Sequence, residues 1–169
     1  QNNYYILSDV DLLPSVELLP KYLEFPKIPI HLANKGTRYN TDGKNKSFLG
    51  GAISVNSEDF KKCNGYPNNF WGWGGEDDAL YHRMEKNKIK IERGEYPVID
   101  LEEYTLEEKL EVLRDKKLKE MRKIEKVKED KKEWKTNGLS DLEDKYGIIN
   151  KKKYEGIENV EHVKVELFV

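Results

Sequence analysis

The chain has 169 residues, 37% hydrophobic and 37% charged, and its 30 Lys and Arg against 32 Asp and Glu leave a formal charge of -2. That length supports one domain with a real core, and the balanced charge carries no bulk attraction for nucleic acid. No apolar run approaches the roughly 20 residues that cross a bilayer, and no basic-then-apolar secretory leader opens the chain. A single cysteine, Cys63, excludes an intrachain disulfide and leans toward a reducing, cytosolic compartment, which leaves localisation unassigned.

Tyr4, Tyr5, Ile6 and Leu7 form a continuous apolar run, the pattern of a buried strand in a parallel or mixed sheet. Asp9 and Asp11 follow its C-terminal end, where open α/β sheets place their ligands. In extended backbone, positions i and i+2 point the same way, so both carboxylates can face one hard divalent cation or a metal-bound diphosphate. A solvated turn is the competing reading. Val16, Leu19 and Leu23 keep helical spacing interrupted by Pro20, and Pro20, Pro26 and Pro29 mark a loop-rich crossing. His31, in the apolar patch 30–33, reads as a hydrogen-bonded structural histidine. Residues 34–47 are polar and turn-rich, and their Asn45-Lys46-Ser47 sequon matters only in a secreted protein. Residues 48–55 return to strand character, with Gly50-Gly51 allowing close backbone approach. Ser57 caps a short helix over 58–63 that Asn64-Gly65 ends. Cys63 has no neighbouring base and reads as inert.

The next stretch organises the rest: Asn64-Gly65-Tyr66-Pro67-Asn68-Asn69-Phe70-Trp71-Gly72-Trp73-Gly74-Gly75-Glu76-Asp77-Asp78. Such a composition suits a packed core poorly. Gly74-Gly75 lets backbone approach a ligand, and indoles offer flat faces to sugar rings. Glu76, Asp77 and Asp78 repel one another, a cost tolerated where carboxylates bind or catalyse. They also open a helix over 76–85, where acids are ordinary first-turn residues; the attached Trp-Gly-Trp run weighs against that blander reading. Ala79, Leu80 and Met84 make the helix's apolar side. Asp78 and His82 stand four apart, a spacing for a metal pair or, more commonly, a surface hydrogen bond. Ile89 and Ile91 alternate within a strand over 88–92.

Thr105 and Glu108 form a capping box. Leu106, Leu110, Leu113, Met121, Ile124 and Trp134 then keep helical spacing until Asn137-Gly138. Uninterrupted, that helix spans roughly 45 Å. Its Lys/Glu runs read as a solvated face, and its thin apolar stripe predicts that it projects beyond the core. Val163, Val165 and Leu167 mark a closing strand over 162–169. The expected fold is α/β, a mixed sheet with flanking helices and one long charged helix. Residues 1–100 would form the catalytic core, with 101–169 adding the helix and closing strands of the same domain.

Three segments together resemble the β-1,4-galactosyltransferase family: Ser8-Asp9-Val10-Asp11-Leu12-Leu13-Pro14, Phe48-Leu49-Gly50-Gly51, and Trp71-Gly72-Trp73-Gly74-Gly75-Glu76-Asp77-Asp78. The resemblance is strong over 4–93 and faint beyond. It implies a GT-A-like nucleotide-sugar transferase fold, entered here midway through the catalytic domain, without the N-terminal nucleotide-binding half. It further implies an inverting transfer of galactose, or a related hexose, from a UDP-sugar to a saccharide or glycoconjugate acceptor. On that pattern Asp77 is the catalytic base and Asp11 a metal ligand, with Mn²⁺ as cofactor and Mg²⁺ as the alternate. Asp9, Phe48, Gly50, Gly51, Trp73, Gly74, Gly75, Glu76 and Asp78 would bind donor and acceptor.

The chain departs from the family in two side chains. No histidine lies between His82 and His162 to complete the metal site, so Asp100, Glu102 or Glu103 become its candidates. Phe48 replaces the usual tyrosine, leaving the choice between galactose and N-acetylgalactosamine donors open. The rival reading is a non-catalytic carbohydrate-binding or scaffold fragment of such an enzyme. Acceptor identity is not legible.

Overall fold

The computed structural model describes residues 3–35, 37, 40, 42–116, 122–142, 146–153 and 161–167. At its centre lies a mixed four-stranded sheet in the order β1-β4-β3-β5. Its strands are β1 (Tyr4–Ser8), β3 (Ile30–His31), β4 (Ala52–Asn56) and β5 (Glu92–Arg93). β1 and β3 both pair antiparallel with β4, while β3 pairs parallel with β5. Every residue of β4 is buried, because the sheet is covered on both faces. Ala52 packs with Leu12, Leu18, Ile30, Leu32 and Ala33 on one side. Ile53 and Val55 pack with Leu49, Cys63, Leu80 and Met84 on the other. The period of two along the strand thus feeds two cores from one element.

The first core is closed by β2 (Leu12–Pro14), which pairs antiparallel with β6 (Val98–Asp100), and by α1 (Leu19–Leu23). Pro20 does not break α1; it stands in its first turn, where its missing N–H is unneeded. Against the second core lie α2 (Ser57–Lys62) and α3 (Glu76–Lys86). Asn56, one residue earlier than the Ser57 expected from sequence, is the cap of α2, accepting from the Asp59 N–H at 2.8 Å. The strand expected over 88–92 shrinks to β5, since Lys88 takes a positive φ of 56° just after α3.

The expected single long helix is instead two: α4 (Leu106–Asp115) and α5 (Lys123–Glu133). The capping box at Thr105 and Glu108 is present. α5 does not project. It packs along α3, burying Val127 and Asp130, with Trp134 buried just beyond. The buried pairing of Asp130 with Arg83 of α3 holds it there. Finally β7 (Tyr146–Lys153) and β8 (Glu161–Leu167) form an antiparallel pair; Met121, Phe168 and Val169 lie outside the described residues. Among the described residues no helix is long and apolar enough to cross a membrane.

Candidate active site

Pairing of β1 with β4 decides where the site lies. Ser8 stands opposite Ala52, so the chain leaving β1 meets the chain entering β4, and the Asp9 N–H donates to the Gly51 carbonyl at 2.7 Å. The 73–78 run closes over this end. Between them is a cleft of about 950 Å³ lined by Asp9, Asp11, Phe48, Gly50, Gly51, Trp73, Gly74, Gly75, Glu76, Asp77 and Asp78. All eleven were marked by the sequence. Trp71, by contrast, is 57% exposed.

The glycines are there for room. A Cβ on Gly50 would fall 2.8 Å from Asp77 Oδ2 and 2.7 Å from the Phe48 ring. Gly75 has φ +103°, and a Cβ there would press on Phe70 at 2.7 Å. Beneath the loop, Arg93 donates to the carbonyls of Phe48 and Lys46, both at 2.5 Å, and to His31 Nδ1 at 2.7 Å. The proton of His31 therefore sits on Nε2, which donates to the Gly50 carbonyl at 2.8 Å. Burial, with Arg93 alongside, pushes His31 down to about 4, so the ring is neutral and structural, as its sequence context suggested.

Charge is concentrated in the cleft. Desolvation, then Glu76 and Asp9, push Asp77 up to about 7, against a Tyr66 hydroxyl that donates to Asp77 Oδ1 at 3.2 Å. Partial desolvation and the nearby Asp11 and Glu76 also raise Asp9. Glu76 Oε2 is buried without a hydrogen-bond partner. A carboxylate whose proton affinity sits near neutrality can accept a proton from a substrate hydroxyl. Cys63 is not a rival nucleophile, since burial pushes its thiol up to about 12.

Several expected partners are arranged differently. Asp78 pairs with Lys123 of α5 at 2.7 Å, and His82 meets Glu85 at 3.4 Å rather than Asp78. None of Asp100, Glu102 and Glu103 lines the cleft. Asp100 Oδ1 accepts from the Glu102 N–H at 3.0 Å, the Glu102 carboxylate pairs with Lys109, and Glu103 is exposed. Among the described residues no group of three His, Cys, Asp or Glu is placed to hold a metal ion. The all-oxygen completion expected from 100–103 is not assembled at the cleft, because Asp100 is tied into the pairing with β2 and the Glu102 side chain turns to α4. Conversely, Lys109 and Lys123 do line the cleft. Both come from the Lys/Glu stretch that looks like a solvated face, and no local pattern distinguishes them there.

Against known proteins, a family model described as the N-terminal domain of galactosyltransferase matches residues 30–110. Human β-1,4-galactosyltransferase 4 is 34% identical over 142 residues, 80% of this chain and 38% of that protein. Rat β-1,4-galactosyltransferase 6 is 40% identical over 100 residues, 59% of this chain and 25% of that protein. The chain belongs to the β-1,4-galactosyltransferase family. It spans well under half the length of these curated relatives. A solved structure of a Drosophila β-1,4-galactosyltransferase 7 mutant, in complex with manganese, UDP-Gal and xylobiose, superposes with a TM-score of 0.68 at 25% identity. It covers 97% of this chain, and this chain covers 67% of it. The mixed sheet with flanking helices is thus the GT-A-type architecture of the β-1,4-galactosyltransferases, and the cleft at the β1–β4 end is formed by the segments that resemble that family.

Proposed function

We propose that this chain carries the catalytic cleft of a metal-dependent, inverting glycosyltransferase that moves galactose, or a related hexose, from a UDP-sugar to a saccharide acceptor. One observation carries the reading: Asp77 and the Asp9/Asp11 pair, from distant parts of the chain, line a single cleft. Separate faces would have excluded it.

The donor set suits a hard divalent ion, manganese with magnesium as the alternate. Such ions are held by one or two carboxylates plus substrate phosphates rather than by an all-protein cage, and Asp9 and Asp11 supply that number. Bound there, the ion would contribute Lewis-acid neutralisation of the leaving diphosphate. The chain's own residues do the rest. Asp77, with proton affinity near 7, takes the acceptor hydroxyl's proton as that oxygen attacks. Glu76, whose Oε2 is without a partner, and Asp78 accept from sugar hydroxyls. Trp73 supplies an apolar wall, and Gly74 and Gly75 give the loop freedom to close over the donor and exclude water. The greater length of the relatives supports a further segment of the same polypeptide on the nucleotide side.

The test is UDP release by the full-length protein with Mn²⁺, a UDP-hexose and a panel of saccharide acceptors. Wild-type protein releases UDP, and Asp77→Asn stops it; normal turnover by that variant would remove Asp77 as the base.

A further inference from the structure

We propose that Lys109 is a phosphate-binding residue of this cleft, its ammonium meeting the diphosphate of the nucleotide-sugar beside Asp9. This rests on the donor proposed above and adds the side chain through which the protein itself supplies positive charge.

The position of Lys109 is fixed through the same backbone that carries the acidic pair. β6 pairs with β2, Leu12 opposite Asp100, and the Leu101 N–H donates to the Asp11 carbonyl at 2.8 Å. Asp100 then holds the Glu102 N–H, and the capping box at Thr105 sets where α4 begins. Lys109, in the first turns of α4, folds back to pair with Glu102 and stands 5.7 Å from the centroid of the Trp73 ring. It lines the same cleft as Asp9. A lysine free in solvent would sample many rotamers; this one is held at the cleft wall by Glu102 and the Trp73 ring, from two separate segments.

The cleft's charge gives the placement a purpose. Asp9, Asp11, Glu76, Asp77 and Asp78 face it, against Lys109 and Lys123, and Lys123 is engaged with Asp78 at the α3 side. A diphosphate entering such a field is repelled unless cations meet it from more than one direction. Lys109 is the cation on the Asp9 side. An ammonium has three donors, so it can keep Glu102 and still donate to a phosphate oxygen. The alternative is that Lys109 is only a strut tying α4 to Glu102.

Isothermal titration of the full-length protein with UDP and with uridine, each in Mn²⁺ and in EDTA, separates the two. Lys109→Gln weakens UDP about 10- to 100-fold and leaves uridine unchanged. Lys109→Arg, keeping the charge, stays near wild type, and Glu102→Gln, which removes the ion pair but not the ammonium, does not weaken UDP. Unchanged thermal midpoints confirm intact folds. If wild type binds UDP and Lys109→Gln binds it equally, Lys109 is a strut and this proposal alone falls. If wild type binds no UDP, the donor assignment falls and takes the proposal with it.

Discussion

The two ends of α3 treat charge in opposite ways. At its N-terminus, Glu76, Asp77 and Asp78 crowd together, Glu76 Oε2 has no hydrogen-bond partner, and Asp77 is pushed up to about 7. Two turns on, Arg83 is 1% exposed, yet every direction of its guanidinium is answered. Nε and Nη2 donate to the two Asp130 oxygens at 2.9 and 2.5 Å. Nη1 reaches the carbonyls of Asn64 and Gly65, and Nη2 also that of Asn137. Buried charge costs several kcal/mol unless paired and hydrogen-bonded. The Arg83 end meets that condition and holds α5 and two turns in place. The Asp77 end does not, and the shortfall raises Asp77 toward neutrality, as suits the proton acceptor proposed for it.

The contrast can be broken at either end. Asp130→Ala strands the Arg83 charge and should cost about 3–5 kcal/mol, read by urea denaturation; a cost below about 1 kcal/mol would show that Arg83 finds water instead. Gly50→Ala presses a methyl against Phe48 and Asp77 Oδ2. It should cost about 1–3 kcal/mol but, on the proposed role of Asp77, cut transfer roughly 10²-fold by displacing that carboxylate, a split visible by comparing kcat with the thermal midpoint.

Asp77→Asn should stabilise. Folding raises the Asp77 pKa from its ordinary 3.8 to about 7, so the native state favours the protonated form. That contribution is complete below about pH 4 and is lost as pH rises to about 7. The neutral amide therefore gains nothing near pH 4 and about 1–2 kcal/mol by pH 8, after discounting for the open side of the cleft. Equal midpoints for the two proteins at pH 8 would count against the strained carboxylate. For the same reason kcat of the wild type should fall as pH drops below about 7. Smallest of all, Glu85→Gln removes an exposed 3.4 Å contact with His82 and should change stability by under about 0.5 kcal/mol.

The cleft itself was largely legible. Asp9, Asp11, the 48–51 turn and the 73–78 run were singled out by residue types that make poor core, and they meet at one end of the sheet. The capping box at Thr105 was readable too, since it is settled by near neighbours; the inert character of Cys63 was read correctly from the lack of a neighbouring base, although it is burial in the folded core that raises its thiol. Less was visible where lysines and glutamates alternate. Asp130, Lys109 and Lys123 are indistinguishable in sequence from the solvated residues around them, yet one is buried against Arg83 and two enter the cleft. The end of α4 at Asp115 and the start of α5 at Lys123 were missed because apolar spacing runs past both.

Taken alone, the sequence determined which side chains could bear the chemistry, because glycines, tryptophans and adjacent acids carry their intrinsic geometry and charge wherever they lie. It also marked most of the elements that present them. Which cations face those acids, and which single aspartate is drawn inside to neutralise an arginine, were decided only when β6, α4 and α5 packed back onto the sheet. Electrostatic pairing depends on distance and burial, and neither quantity exists until the chain has folded.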